Sequence, residues 1–230
     1  MKTVLKASHL GKTFYSPSEV TVLKDVNLDV KRGQALAIMG KSGEGKSTLL
    51  QILGTLEKPT SGEIFFMGKP LSHYSLPQLR NQHIGFIFQN YHLLDDYTVL
   101  ENILMPAKIA GKNTGPNSVD YQRALQLLEK VGLSHRADFY TKLLSGGEKQ
   151  RAAFARALCN DPDLVFADEP SGNLDHVHSQ QLHHLLISSI KEMGKALIVV
   201  THDRELAALC DQIYLLKDGI LTLTDSTMAS

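Results

Sequence analysis

The 230-residue chain is long enough to bury a sizeable core, either as one domain or as one domain with a lobe. The chain has 24 basic residues (lysine plus arginine) and 24 acidic residues (aspartate plus glutamate), so its formal net charge is zero. This balance argues against a polybasic surface that would bind nucleic acid or membranes. Cys159 and Cys210, the only cysteines, have no metal-like or CxxC spacing, which is typical of reduced thiols in a cytoplasmic protein. The segment "MKTVLKASHL" lacks the apolar core of a signal peptide, and no stretch approaches the roughly 18 uncharged apolar residues of a membrane-spanning helix, so we expect a soluble chain.

The first third of the chain predicts short strands. Val26, Leu28 and Val30 alternate with polar residues in "DVNLDV", which is the period of a half-buried strand. The continuous apolar run "QALAIMG" instead indicates a strand buried on both faces, and it passes directly into "KSGEGKSTLLQIL", where the spacing becomes helical. The runs "GEIFFMG" and "HIGFIFQ" have the length and composition of further short strands.

Helical patterns dominate from about residue 97 to residue 158. Apolar residues recur at helical spacing in "TVLENILMPAKIAG", "VDYQRALQLLEKVGL" and "GEKQRAAFARALC". Buried strands return in "DLVFADEP" and "KALIVVTHD", with the helix "SQQLHHLLISSIKEM" between them and a terminal hairpin turning at Asp218-Gly219. Alternating buried strands and helices predict an α/β fold with a parallel sheet covered on both sides, into which the helical lobe is inserted.

A phosphate-binding loop is predicted at Gly40–Ser47, where "GKSGEGKS" matches the GxxxxGK[ST] pattern between a strand and a helix. Glycines let the backbone wrap round phosphates so that consecutive amides point at the anion. Lys46 can reach the β- and γ-phosphates, and the Ser47 hydroxyl can bind Mg²⁺. The alternative is a glycine-rich turn that merely joins the two elements. Glu44 places an unusual carboxylate in this loop, and we expect it to point outward.

Polar residues follow three of the predicted buried strands. Asp168 and Glu169 end the run "LVFA", where α/β proteins bind ligands, and they offer one acid for a Mg²⁺ shell and one base for an attacking water. The alternative is a pair of solvated acids at a strand end. His202 follows "LIVVT" and suits a γ-phosphate contact, although a lone histidine there is more often an ordinary surface residue. Gln89 follows "IGFIF" and is equally consistent with a polar residue leaving a strand.

A second glycine turn occurs in "LLSGGEKQR", ahead of another predicted helix. Small residues and free amides at the start of a helix favour an anion, so this turn has the features of a phosphate site as well. A chain with one phosphate loop does not need a second one for the same nucleotide, and the residues alone leave the purpose of this turn open.

Together these motifs resemble those of the ATP-binding cassette (ABC) transporter ATPases. The segments "GKSGEGKS", "LSGGEKQR", "LVFADEP", "GNLD" and "VVTHD", with Gln89, occur in that family's order and rough spacing, and the likeness covers essentially the whole chain. The resemblance implies a single nucleotide-binding domain over residues 1–230. It further implies a P-loop NTPase (RecA-like) core, an antiparallel β subdomain, and an inserted helical subdomain at about residues 90–158.

The resemblance implies a site for ATP and Mg²⁺. Glu169 would be the general base, His202 the γ-phosphate contact, and Gln89 a contact to the metal or the water. An aromatic residue would stack on the adenine; Phe14 fits best and Tyr15 is a close second, while both remain open to a core role. The metal ligands would be Ser47, Gln89 and Asp168. The phosphate loop would contribute Gly40, Lys41, Ser42, Gly43, Glu44, Gly45, Lys46, Ser47 and Thr48.

The resemblance also gives the second glycine turn a role in a partner copy. It implies that two copies dimerise head to tail, so that Ser145, Gly146, Gly147 and Glu148 of each copy cover the γ-phosphate held by the other. Asp175 would signal across that interface. The implied partners are integral membrane permease subunits and not nucleic acid. The chain itself would not enter the bilayer and would lie peripherally on the cytoplasmic face of the inner membrane.

Within the family, the segments "LRNQHIGFIFQNYHLL", "TVLENILMP" and "DEPSGNLD" resemble the LolD/MacB-type ATPases. This likeness implies a complex that releases lipoproteins from the inner membrane. Two alternatives are export of another substrate by the same subfamily and a soluble ABC ATPase outside transport. Ser171 stands where the subfamily more often has threonine.

Overall fold

The computed structural model describes residues 2–224 of the chain. Its helices are α1 (Lys46–Leu53), α2 (Leu76–His83), α3 (Val99–Ile109), α4 (Val119–Lys130), α5 (Gly146–Leu158), α6 (His176–Glu192) and α7 (Arg204–Ala208). Its strands are β1 (Thr3–Phe14), β2 (Val20–Lys31), β3 (Ala35–Met39), β4 (Ser61–Phe66), β5 (Lys69–Pro70), β6 (Ile84–Ile87), β7 (Leu164–Asp168), β8 (Ala196–Val200), β9 (Gln212–Lys217) and β10 (Ile220–Thr224). The chain folds as two units, one formed by the residues up to 76 and those from 187 onward, the other by residues 77–186.

An antiparallel sheet with the strand order β2-β1-β4-β5 belongs to the first unit. The expected alternation in β2 is confirmed, because Val26, Leu28 and Val30 are buried while the residues between them are exposed. Strands β1 and β2 pair along most of their length, and Phe14 at the end of β1 lies opposite Val20. This sheet is the antiparallel β subdomain that the family resemblance implies.

The rest of the sheet structure of the first unit combines parallel pairings of β3 with an antiparallel hairpin of β9 and β10. Strand β3 pairs in parallel with both β8 and β9, and Ile38 lies opposite Val200. Every residue of β8 is buried, as expected for a strand whose two faces are both covered. Strands β9 and β10 form the expected hairpin, and Asp218 and Gly219 at its turn both have positive φ, 52° and 81°, as a type I′ turn requires.

The second unit combines a parallel strand pair with three capped helices. Strands β6 and β7 run parallel, with Ile87 opposite Ala167. The side chains of Thr98, Ser118 and Ser145 accept hydrogen bonds from first-turn amides of α3, α4 and α5, which explains where these helices begin. All three helices lie in the segment expected to be helical, and the α/β fold class with its helical insertion is confirmed. The bounds of about 90–158 for the insertion stay a prediction.

Helix α5 lies unusually close to strand β6. A Cβ atom placed on Gly85 would lie 2.4 Å from the carbonyl oxygen of Ala157, so only glycine allows this approach. The helix buries a row of mostly small side chains, Ala152, Ala153, Phe154, Ala155 and Leu158. Among the residues from 2 to 224, no helix is both long and apolar enough to span a bilayer.

Candidate functional site

The phosphate loop joins β3 to α1 through three glycines with positive φ, at Gly40 (159°), Gly43 (86°) and Gly45 (93°). A Cβ on Gly40 would lie 2.4 Å from the Leu216 carbonyl oxygen, and one on Gly45 would lie 2.4 Å from Cγ1 of Val22. These two glycines therefore let the loop pack closely against β9 and β2. A Cβ on Gly43, by contrast, would meet no described atom within 4 Å beyond its neighbours in the chain, so the loop backbone faces open space there.

The start of α1 has the features of an anion site. Its cap residue is Gly45, which has no side chain to accept the first-turn amides, and these amides carry the positive end of the helix dipole. The Lys46 ammonium donates to the Lys41 carbonyl oxygen at 2.9 Å, across the same loop. The uncapped amides, the helix dipole and the ammonium thus belong to one loop, and this combination fits a triphosphate.

The Glu44 carboxylate is engaged by the terminal hairpin. Its Oε2 accepts a hydrogen bond from the Asp218 amide at 2.8 Å. The carboxylate is therefore directed to the β9–β10 turn, which agrees with the expectation that it points outward from the loop.

His202 leaves the sheet at the same edge as the phosphate loop. It follows β8, and the Thr201 amide beside it donates to the Ile38 carbonyl oxygen of β3 at 3.2 Å. Since β3 and β8 are parallel, their carboxyl ends lie together, and β3 continues directly into Gly40. The structure thus brings His202 to the edge where the phosphate loop begins.

The two candidate adenine contacts lie at the end of β1. Phe14 is 38% exposed and Tyr15 is 69% exposed. The Lys12 ammonium lies 4.7 Å from the centroid of the Phe14 ring and is held there by Glu57 at 2.8 Å. Neither ring is buried in the core, so the choice between Phe14 and Tyr15 stays a prediction.

Gln89 and Glu169 lie close together in the second unit. Asp168 is the last residue of β7, and Gln89 follows the parallel strand β6. The Gln89 carbonyl accepts from Nδ2 of Asn173 at 2.9 Å, and the Gln89 side-chain nitrogen lies 3.0 Å from where a Cβ on Gly172 would be. The Gly172 amide in turn donates to the Glu169 carbonyl oxygen at 3.1 Å.

Glu169 has a left-handed backbone conformation, with φ at 43°. This conformation is unfavourable for a residue with a side chain and occurs often where function requires a particular side-chain direction. The expected metal ligands Ser47, Gln89 and Asp168 would supply hydroxyl, amide and carboxylate oxygens, which are the hard donors that suit Mg²⁺.

The second glycine turn is held by a complete capping box at the start of α5. The Glu148 amide donates to Ser145 Oγ at 3.3 Å, and the Ser145 amide donates to Glu148 Oε2 at 2.8 Å. These contacts, led by the hydrogen bond from the Ser145 backbone, lower the pKa of Glu148. A Cβ on Gly146 would lie 3.0 Å from the Tyr91 hydroxyl, so the turn packs on the segment after Gln89.

Asp175 caps the start of α6 near the same turn. Its carboxylate accepts from the His178 amide at 3.1 Å and lies 2.6 Å from His178 Nδ1. These contacts lower the pKa of Asp175, with the backbone hydrogen bond as the largest cause. The adjacent Leu174 lies 3.9 Å from the Cβ positions of both Gly146 and Gly147, so "GNLD" and "LSGGE" are neighbours within one chain.

Arg156 is a residue that sequence reasoning missed. Its guanidinium donates to the Tyr91 carbonyl at 2.7 Å and to the His92 carbonyl, and burial lowers its pKa. It thereby ties α5 to the segment that follows Gln89. An arginine within the otherwise apolar run "AAFARAL" is the signal that could have identified it.

Comparison with known proteins agrees with these features. Residues 23–172 match the family model described as ABC transporter. The lipoprotein-releasing system ATP-binding protein LolD of Protochlamydia amoebophila (strain UWE25) is 54% identical over 218 residues, covering 95% of this chain and 96% of that protein. The protein of the same name from Shewanella denitrificans is 48% identical over 227 residues, covering 97% and 96%.

Solved structures of ABC cassettes have a similar backbone fold. The dimeric structure of MJ0796, described as a bacterial ABC transporter cassette, superposes with a TM-score of 0.83 at 38% identity, covering 94% of this chain and 96% of that chain. A dimeric post-hydrolysis state of the same cassette, bound to ADP and Pi, gives a TM-score of 0.85 at 36% identity, covering 96% and 98%.

Proposed function

Because this chain belongs to the ABC transporter family, we propose that it is the ATP-hydrolysing subunit of a transporter that releases lipoproteins from the inner membrane. The observation that carries the proposal is 54% identity to a lipoprotein-releasing ATPase over 95% of the chain. ATP hydrolysis by this subunit drives separate membrane subunits. The subunit itself lies peripherally on the cytoplasmic face of that membrane.

The phosphate loop binds the nucleotide. The amides between Gly40 and Thr48 surround the phosphates, and Lys46 turns from the Lys41 carbonyl to the β- and γ-phosphates. Phe14 stacks on the adenine, or Tyr15 does so in its place. His202, at the edge where the loop begins, contacts the γ-phosphate.

Hydrolysis requires a metal and a base. Ser47, Gln89 and Asp168 would hold Mg²⁺, and the bound metal would supply positive charge to offset the charge of the phosphates. Glu169 accepts a proton from the attacking water and orients it. The left-handed backbone at Glu169 is typical of positions where function requires a particular side-chain direction, which supports this role.

Two copies complete each other's site. Ser145 and the amides of Gly146 and Gly147 in one copy cover the γ-phosphate bound by the other, with the α5 dipole behind them. The role of the second glycine turn follows directly, and the dimeric state of the MJ0796 cassette supports it. Asp175 lies beside this turn and transmits the state of one site to the other.

A cavity of about 290 Å³ in the second unit suits a helix from a membrane subunit. Its lining is mainly apolar and includes Phe88, Met105 and Ile109, of which Ile109 is 71% exposed. Arg156, which holds the segment after Gln89, also lines it. We infer that this cavity receives a short amphipathic helix of a permease subunit and that its occupancy affects Gln89.

The enzymatic part of the proposal is tested with Glu169→Gln. Loss of a positioned base should reduce ATP hydrolysis by about a hundredfold or more while ATP binding is retained. With ATP and Mg²⁺ at saturation, sedimentation velocity should show this variant as a dimer and the Lys46→Ala variant as a monomer. Near-normal turnover by Glu169→Gln would show that the base is wrongly assigned.

The transport part is tested by capture of the chain from detergent-solubilised membranes. Integral membrane subunits should copurify, and the reconstituted complex should release a lipoprotein from proteoliposomes only with hydrolysable ATP. The same complex with Lys46→Ala is the control. Copurification with membrane subunits that release no lipoprotein would favour the alternative, export of another substrate by the same subfamily.

A further inference from the structure

Arg136 makes an ion pair with the second glycine turn. It ends the short 3₁₀ turn Ser134–Arg136, and its Nε donates to Glu148 Oε1 at 3.0 Å. The Arg136 side chain is 34% exposed and that of Glu148 is 15% exposed, so the pair is only partly screened by water. The other carboxylate oxygen, Oε2, accepts from the Ser145 amide and from the Ser145 hydroxyl, each at 2.8 Å.

This arrangement creates an electrostatic problem for the proposed dimer. The turn is to accept the γ-phosphate of a partner copy, yet it already contains the negative charge of Glu148. The single proton of the Ser145 hydroxyl is donated to that carboxylate. Two anions at one helix start repel each other, and closure of the dimer removes the water that would screen them.

We propose that Arg136 is a positioning residue that neutralises Glu148 and so allows the Ser145–Gly147 turn to accept the γ-phosphate of a second copy. This inference rests on the proposed ATP-driven dimer. By holding Oε1, the guanidinium also fixes the carboxylate beside the turn instead of in the space the phosphate would enter.

The surroundings of Arg136 keep its guanidinium in place. The guanidinium carbon lies 4.7 Å from the centroid of the Phe139 ring, a cation–π contact. The segment that follows is bound to the start of α3, because the Val99 and Leu100 amides donate to the Phe139 and Ala137 carbonyls at 2.9 and 3.0 Å. Arg136 is therefore ordered before a partner arrives, which reduces the entropy lost when the dimer forms.

The experiment measures the ATP concentration at half-maximal dimerisation, in chains that also carry Glu169→Gln so that hydrolysis does not intervene. Arg136→Gln should raise this concentration about tenfold, since it leaves an uncompensated carboxylate opposite the phosphate. Arg136→Lys keeps the charge and should give an intermediate value. Adding Glu148→Gln to Arg136→Gln removes the orphaned charge and should restore the concentration to within about threefold of the parent.

Arg123→Gln is the matched control, because Arg123 pairs with Asp161 at 3.4 Å on the helical surface and should leave dimerisation unchanged. If the parent Glu169→Gln chain does not dimerise with ATP, the proposed function fails. If the parent dimerises but Arg136→Gln matches it, or if the double variant stays as weak as Arg136→Gln, the role of Arg136 is overturned. The melting temperature gives a second readout. Glu148→Gln removes the unpaired charge that Arg136→Gln creates, so the double variant should be more stable than Arg136→Gln, and equal melting temperatures would count against the role of Arg136.

Discussion

Ser171 and His183 form a buried hydrogen bond that helps to hold the loop between Glu169 and Asp175. His183 Nε2 lies 2.8 Å from Ser171 Oγ, and the two residues are 1% and 8% exposed. The Leu174 amide donates to the Ser171 carbonyl at 3.0 Å, so the same residue organises the next turn of the loop. A histidine on α6 thus anchors the segment that carries the proposed base and the proposed interface residue.

We predict that His183→Leu lowers the free energy of unfolding by about 1–3 kcal/mol, because it leaves the buried Ser171 hydroxyl without this partner. His183→Gln retains a polar group near the position of Nε2 and should recover part of the loss. His184→Leu is the control, since His184 is exposed on the same helix and its change should stay within about 0.5 kcal/mol. Urea denaturation measures all three, and equal midpoints for His183→Leu and the wild type would contradict the prediction.

Helix α5 connects several parts of the proposed mechanism at the scale of one element. Its start forms the second glycine turn, and Arg156 near its end holds the carbonyls after Gln89. The close approach at Gly85 seats the helix directly on β6, the strand that leads to Gln89. A change in the position of α5 is therefore expected to reach both the turn and Gln89.

Gly85→Ala should destabilise the protein by about 1–3 kcal/mol, because the new Cβ would lie 2.4 Å from a backbone oxygen of α5 and cannot be accommodated by a side-chain rotation. Gly115→Ala is the matched control. A Cβ there would lie 3.3 Å from the Asn113 side chain, which can move, and we expect a change below about 0.5 kcal/mol. Thermal or urea denaturation distinguishes the two, and equal stability of both variants would show that α5 can shift freely on β6.

The sequence predicts strands well where the burial of their side chains alone determines the composition. The alternation of Val26, Leu28 and Val30 and the apolar run Ala196–Val200 each reveal a strand, because sheet faces impose a period or a continuous run. Gly85 has no such pattern, and the position of Arg156 in an apolar run marks it as unusual without revealing what it contacts. Their partners, Ala157 and the carbonyls after Gln89, are remote in sequence, so only the folded chain reveals the contacts.

At the scale of the whole molecule, we expect one copy of the chain to lack part of its own catalytic site. The sequence predicts some residues of that site and not others. The phosphate loop, Asp168, Glu169 and His202 could be proposed from the sequence because their positions at strand ends have a direct chemical meaning, and their roles stay predictions. The "LSGGE" turn has similar features of an anion site, but its residues alone do not indicate which copy's phosphate it is expected to contact. The role proposed for Arg136 could not be predicted in this way, because an arginine in the connection between α4 and α5 has no distinguishing sequence pattern.

Mixing two inactive variants tests whether the site is shared. Lys46→Ala removes a phosphate contact, and Ser145→Arg blocks the turn, so each variant alone should hydrolyse little ATP. A mixed dimer contains one complete site, formed by the loop of the Ser145→Arg copy and the turn of the Lys46→Ala copy. We therefore expect partial recovery of hydrolysis on mixing. Replacing the Lys46→Ala partner with the Lys46→Ala/Ser145→Arg double variant removes that site, and equal activity in both mixtures would rule out sharing.

The hydrogen bond between Glu44 and the Asp218 amide gives the phosphate loop a mechanical link to the molecular surface. We expect an adjustment of the loop on nucleotide binding to reach the tight turn beside the exposed Lys217. A fluorophore attached at that position would register nucleotide arrival as a change in emission. Occupancy of one copy could thereby be followed in real time, separately from pairing and from turnover.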